Sequence, residues 1–95
     1  MLRHVVMFTL DADADLDGLT TSLRRLPGLI AEIRSYEVLD DAGLAEGNSQ
    51  VAVIGTFDDE AGWRAYLEHP EHQAVVHEQI RPHLVARTAL QDTGP

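Results

Sequence analysis

Tyr66, His69 and His72 fall within one short stretch, YLEHPEHQ (66–73). A histidine has an unperturbed pKa near ~6.5, so its neutral imidazole is available as a general base at pH 7. A phenol nearby can donate a hydrogen bond to a carbonyl or enolate oxygen and stabilise charge developing there. His72 lies two residues after Pro70, in the first turn of a helix. The positive helix end disfavours imidazolium there, while Glu68 and Glu71 act in the opposite sense. Helical spacing puts His72 on the side of Val75, Val76 and Gln79, and so inward. His4 adds a second imidazole on a strand face shared with Val6, Phe8 and Leu10. A histidine there must find hydrogen-bond partners. His4, Tyr66 and His72 are the expected catalytic set, converging between a sheet and its helices. The bland alternative is two satisfied histidines in a packed core.

The other titratable groups carry less. His69-x-x-His72 has the i, i+3 spacing of some metal ligands. No third ligand stands at a fixed spacing, so no metal site is expected. His69 and Pro70 read as a corner between two helices. His77 and His83 read as solvated surface groups. Trp63 and Tyr66 read as core aromatics, Trp63 the more firmly of the two.

The elements that must hold these groups follow from periodicity. LRHVVMFTL (2–10) is a strand rich in β-branched and aromatic residues, with two largely apolar faces. Asp13 or Asp15 can cap a helix whose stripe is Leu16, Leu19, Leu23 and Leu26, stopped by Pro27-Gly28. IRSYEVL (33–39) is a second strand, DDAGLAEGNSQ (40–50) a loop and VAVIGTF (51–57) a third strand. Gly55 marks a bulge or a close approach of another group. Asp58 or Asp59 caps a short helix carrying Trp63, Tyr66 and Leu67. Pro70 suits the first position of the next helix, whose stripe is Val75, Val76 and Ile80 and which Pro82 ends. LVARTALQ (84–91) is the last strand, and DTGP (92–95) a frayed end.

The order β-α-β-β-α-α-β over 95 residues predicts one α+β domain: a ferredoxin-like sandwich with a four-stranded antiparallel sheet and helices on one face. Its core spans residues 1–92, with 93–95 as a tail. The uncovered face still carries apolar side chains. A two-fold dimer with the sheets face to face would cover them. The balance of 7 basic against 16 acidic residues, net −9, disfavours nucleic acid and anionic membrane as partners. Without cysteine there is no disulfide, thiolate nucleophile or cysteine–zinc site. The apolar start is too short to span a membrane and has no small-residue cleavage site, so a soluble, cytoplasmic protein is expected.

Several of these features occur together in an order that resembles the stress-responsive dimeric α/β-barrel (Dabb) domain family. They are His4 opening strand one, Leu26-Pro27-Gly28 ending the first helix, Thr56-Phe57 before Asp58-Asp59-Glu60, the Y-x-x-H-P-x-H run from Tyr66 to His72, Pro82, and Asp92 after the last strand. The resemblance covers nearly the whole chain and implies a homodimer whose two sheets form a barrel. One characterised branch, plant olivetolic acid cyclase, closes a linear polyketide by an aldol reaction. The resemblance to that branch assigns active-site roles to His4, Tyr66 and His72. A further tyrosine of that cyclase, on the first helix, has no counterpart near Leu23 to Leu26.

Three functions are therefore in view. The first is a cofactor-free acid–base enzyme acting on a small apolar carbonyl compound, of polyketide-cyclase or aldol type. His72 would be its base, Tyr66 would bind the oxygen, and His4 would orient the substrate. The second is a non-catalytic, stress-responsive dimer that binds a small molecule or a protein. The third, a cofactor-independent monooxygenase, rests on fold sharing alone.

Overall fold

The computed structural model describes residues 1–94; Pro95, the end of the expected tail, lies outside them. The chain folds as β1 (Leu2–Leu10), α1 (Leu16–Arg25) with a 3-10 turn at Leu26–Gly28, β2 (Ser35–Asp40), β3 (Val51–Phe57), α2 (Glu60–Glu68) and α3 (Pro70–Val75). A π-helical turn at Val76–Ile80 and a 3-10 turn at Arg81–His83 then lead into β4 (Leu84–Asp92). The four strands form one antiparallel sheet in the order β2-β3-β1-β4. This is the expected ferredoxin-like arrangement.

Strand alternation sorts the side chains to two faces. On β1, Leu2, His4, Val6, Phe8 and Leu10 are buried under the helices. Val51, Val53 and Phe57 of β3 join them, in register with Phe8, Val6 and Leu2. Leu19 and Leu23 of α1, Tyr66 of α2 and Val75 of α3 close the core from above. On the opposite face Met7, Leu39 and Leu90 stay 41%, 45% and 57% exposed in the single chain. Val5 pairs with Leu90 and Met7 with Ala52, so these side chains form one continuous apolar surface.

The caps are specific. Asp15, rather than Asp13, accepts a hydrogen bond from Gly18 N at 3.0 Å, and Asp59, rather than Asp58, accepts from Gly62 N at 2.9 Å. Each satisfies a backbone donor that the helix itself leaves unpaired.

Several expectations need correction. Of the two readings of Gly55, the bulge is wrong and the close approach holds: its register with His4 and Tyr36 is unbroken, and the irregularity lies at Thr9/Leu10 against β4. The Tyr36 ring comes so close that a Cβ at Gly55 would stand 3.2 Å from Tyr36 Cδ1. Tyr66, 2% exposed, is the firmly buried aromatic, while Trp63 is only partly buried at the core's margin. The second strand begins at Ser35, and the last runs through Asp92. No helix among the described residues is long and apolar enough to cross a membrane.

Candidate active site

The three residues singled out in the sequence come together. His4, Tyr66 and His72 all line one cavity of about 330 Å³ between the sheet and the helices. Tyr66 is central among the rings of its wall. Its ring centroid is 4.3 Å from that of His72, 6.2 Å from His4 and 5.0 Å from Phe57. His4 and His72 do not hydrogen-bond to each other; each is held from its own side.

His72 is fixed by the corner that precedes it. His69 ends α2 in an extended conformation, and its Nδ1 accepts from Glu71 N at 3.1 Å, capping α3. This commits His69 to the corner, as the sequence suggested. The Leu67 carbonyl, freed at the end of α2, lies 3.2 Å from His72 Nδ1. A carbonyl oxygen only accepts, so Nδ1 carries the proton and Nε2 holds the bare lone pair. The Gln73 side chain donates to the same carbonyl at 2.7 Å. Burial lowers the pKa of His72; the Leu67 bond opposes this and His69 adds to it. The ring is thus neutral near pH 7, with burial rather than the helix end as the first cause.

His4 has the opposite tautomer. Its Nδ1 faces the Gln91 side-chain nitrogen at 2.9 Å, across the β1–β4 pair in which His4 and Gln91 are partners. An amide nitrogen donates, so His4 carries its proton on Nε2. Burial first, then the charge of Arg87, then His72, push its pKa down to about 4. The cavity therefore holds one imidazole acting as an acceptor and another acting as a donor. Neither Nε2 has a protein partner among the described residues.

Tyr36 is the site residue that the sequence reasoning missed. Its hydroxyl is 2.7 Å from that of Tyr66, and both rings line the cavity. Burial pushes the Tyr66 phenol up to about 12, although the Tyr36 hydrogen bond pulls against that rise. Tyr36 itself is shifted further up by burial and by Tyr66. The available signal was Gly55. A missing Cβ in the clearest strand leaves room for a ring, and β2–β3 pairing supplies Tyr36 opposite it.

The π-helical turn also alters one expectation. It rephases the segment after α3, so that Val76 and Ile80 share the cavity with His72, while Gln79 lies in a separate surface groove with Ser22 and Arg25. His77 is exposed but bonded, to Gln73 Oε1 at 2.9 Å and to Arg81 Nη1 at 3.2 Å. His83 pairs with Asp11 at 2.9 Å and ties the end of β1 to the start of β4. Among the described residues, no three histidine, aspartate or glutamate side chains converge as a metal site would require.

Comparison with known proteins places this geometry in a group. The family described as Stress responsive A/B Barrel Domain (Dabb) matches residues 2–91. A dimeric ferredoxin-like protein of unknown function from Thermobifida fusca is 37% identical, with 96% of this chain and 88% of that one covered and a TM-score of 0.84. A Dabb family protein with a ferredoxin-like fold from Mesorhizobium loti is 22% identical over 99% of this chain and 96% of that one, TM-score 0.80. A hydroxynitrile lyase from Passiflora edulis is 16% identical over 96% and 90%, with a TM-score of 0.80, a likeness of fold alone. No curated protein matches the chain by sequence.

Proposed function

The chain belongs to the stress-responsive A/B barrel domain (Dabb) family, and from that premise and the cavity's geometry we propose that it is a homodimeric, cofactor-free acid–base enzyme acting on a small carbonyl compound. The observation that carries the reading is the bare Nε2 of His72, left in the cavity because Nδ1 is bound to the Leu67 carbonyl. A neutral, partly desolvated imidazole beside a phenol is suited to removing a proton from carbon next to a carbonyl. His72 Nε2 takes that proton. The carbonyl oxygen becomes an enolate and accepts a hydrogen bond from Tyr66. Either hydroxyl of the Tyr36–Tyr66 pair can donate; with Tyr36 as the donor, the Tyr66 proton is free for the substrate. His4 donates from Nε2 to a second oxygen and so orients the molecule. The enolate carbon can then attack a second carbonyl, whose oxygen takes the proton held on His72 Nε2, an aldol closure of polyketide-cyclase type.

The dimer has separate support. The apolar face around Met7, Leu39 and Leu90 is large for a lone chain of this size, and the Thermobifida fusca relative is described as dimeric. The fold also carries catalysis in one protein, the Passiflora edulis hydroxynitrile lyase.

The test is exchange of the carbon-bound protons of a 1,3-dicarbonyl compound in D2O, followed by proton NMR. The native protein is expected to accelerate exchange, and His72→Ala to lower the rate by ~10²–10⁴ while remaining folded. Tyr66→Phe should lose less. Equal exchange by native protein and His72→Ala removes the catalytic role. Retained binding of the compound in that case leaves the non-catalytic ligand-binding dimer.

A further inference from the structure

We infer that the ligand of this cavity bears a carboxylate, gripped by Arg81 and Arg87, with its apolar or aromatic body against Tyr66, Val6 and Leu23. The inference rests on the cavity being the ligand site proposed above and names the class of molecule that enters it.

The chain has 16 acidic residues against 7 basic ones, yet the cavity wall contains two arginines and no carboxylate. Arg81 stands in the turn before β4. Arg87 is on β4 opposite Phe8, and so on the helix-covered face. Elsewhere in the molecule three arginines are paired, Arg24 with Asp40, Arg34 with Asp58 and Arg64 with Glu60, while Arg3 and Arg25 have no acidic partner among the described residues. Among the described residues Arg81 bonds only to the His77 ring, and Arg87 to no side chain. Both guanidinium groups are exposed to solvent, and together they give this one cavity a positive rim with no carboxylate beside it.

The two groups also bear on the imidazoles. The charge of Arg87 reaches His4 and helps to keep it neutral, so the cavity contributes positive charge and no internal anion. An incoming carboxylate would supply the missing charge. The planar guanidinium fork suits its two oxygens, and charge-assisted hydrogen bonds of this kind are the strong ones. The rest of the wall is mostly aliphatic and aromatic, so the body of the ligand is apolar. At about 330 Å³ the space suits a molecule of one ring and a short chain.

The experiment is calorimetric titration of the native protein with 4-phenylbutanoate and with its neutral isostere 4-phenylbutanamide, at pH 7.5 and low salt. The acid should bind at least ~10-fold more tightly than the amide. Arg81→Gln combined with Arg87→Gln should bring that ratio close to one by weakening the acid alone, with the amide affinity serving as the check on folding. Each single variant should give an intermediate ratio. Equal binding of acid and amide, binding of neither at millimolar concentration, or a ratio unmoved by the double variant overturns the inference. The two readings fail separately. A carboxylate preference with exchange independent of His72 leaves the ligand class and removes the catalysis; equal binding with exchange dependent on His72 does the reverse.

Discussion

The two faces of the sheet are made by the same strands and have opposite characters. Under the helices, β1 presents Leu2, His4, Val6, Phe8 and Leu10, and every one is buried within a single chain. On the other side it presents Arg3, Val5, Met7 and Thr9, and none of them is. The covered face includes polar groups, and those of the site are held, His4 by Gln91, Tyr66 by Tyr36 and His72 by Leu67, while Trp63 Nε1 at the core's margin has no partner among the described residues. The bare face is largely apolar and open, with a groove where Met7, Leu39 and Ala52 meet the loop before β3. One face has its packing partner in the same chain and can therefore afford a hollow. The other requires a partner from outside. A 95-residue chain buries too little surface to do both jobs alone.

The largest expected effect breaks the bare face. Ile54→Asp places a carboxylate in the proposed sheet-to-sheet contact, where an unpaired charge costs several kcal/mol. Sedimentation should show the dimer weakened, with its dissociation constant raised at least ~100-fold, so that the two chains separate. An unchanged dimer would mean that the copies associate elsewhere.

The next effect tests the covered face through pH. The folded pKa of His4, about 4, lies below the 6.5 of an unperturbed histidine, so the unfolded chain takes up this proton first. The stability gained by keeping His4 neutral is fully present above pH 6.5 and is lost as the pH falls to about 4. Its size is up to ~3 kcal/mol. Denaturant midpoints at pH 7.5 and 4.5 should differ more for the native protein than for His4→Asn. Equal differences would place His4 in water.

Smaller changes sharpen the comparison. Gly55→Ala should cost ~1–2 kcal/mol, because the added methyl meets Tyr36 at 3.2 Å and Phe57 at 3.4 Å and the ring must shift. A neutral result in thermal unfolding would show that the Tyr36 ring has room to move. His69→Ala should cost ~1 kcal/mol through the lost cap on Glu71 N, read by thermal unfolding. A loss well above that would give His69 a role beyond the corner.

The fold was largely legible because alternation and helical stripes are local signals. His4 could be put on a face with Val6 and Phe8 without knowing what covered it. Convergence of His4, Tyr66 and His72 came from helical spacing and family resemblance. Their partners were not legible. Tyr36 reaches Tyr66, and Gln91 reaches His4, through strand register, which no local pattern gives. Gln79 was put on the wrong side for a related reason: the π-helical turn shifts the phase of the segment after α3, and its five residues carry no signal for it. Trp63 reads in sequence as the firmer core aromatic, whereas packing over the sheet makes Tyr66 the more deeply buried.

The central claim is that the covered face keeps a neutral imidazole with its Nε2 bare in a cavity. Long-range proton–nitrogen NMR on histidine-labelled protein reads this directly. The account predicts His72 protonated on Nδ1 and bare on Nε2 at pH 7, titrating below 6.5, with Nε2 shifting when 4-phenylbutanoate is added. A proton on Nε2 at pH 7, or a His72 titration at or above 6.5, would contradict it.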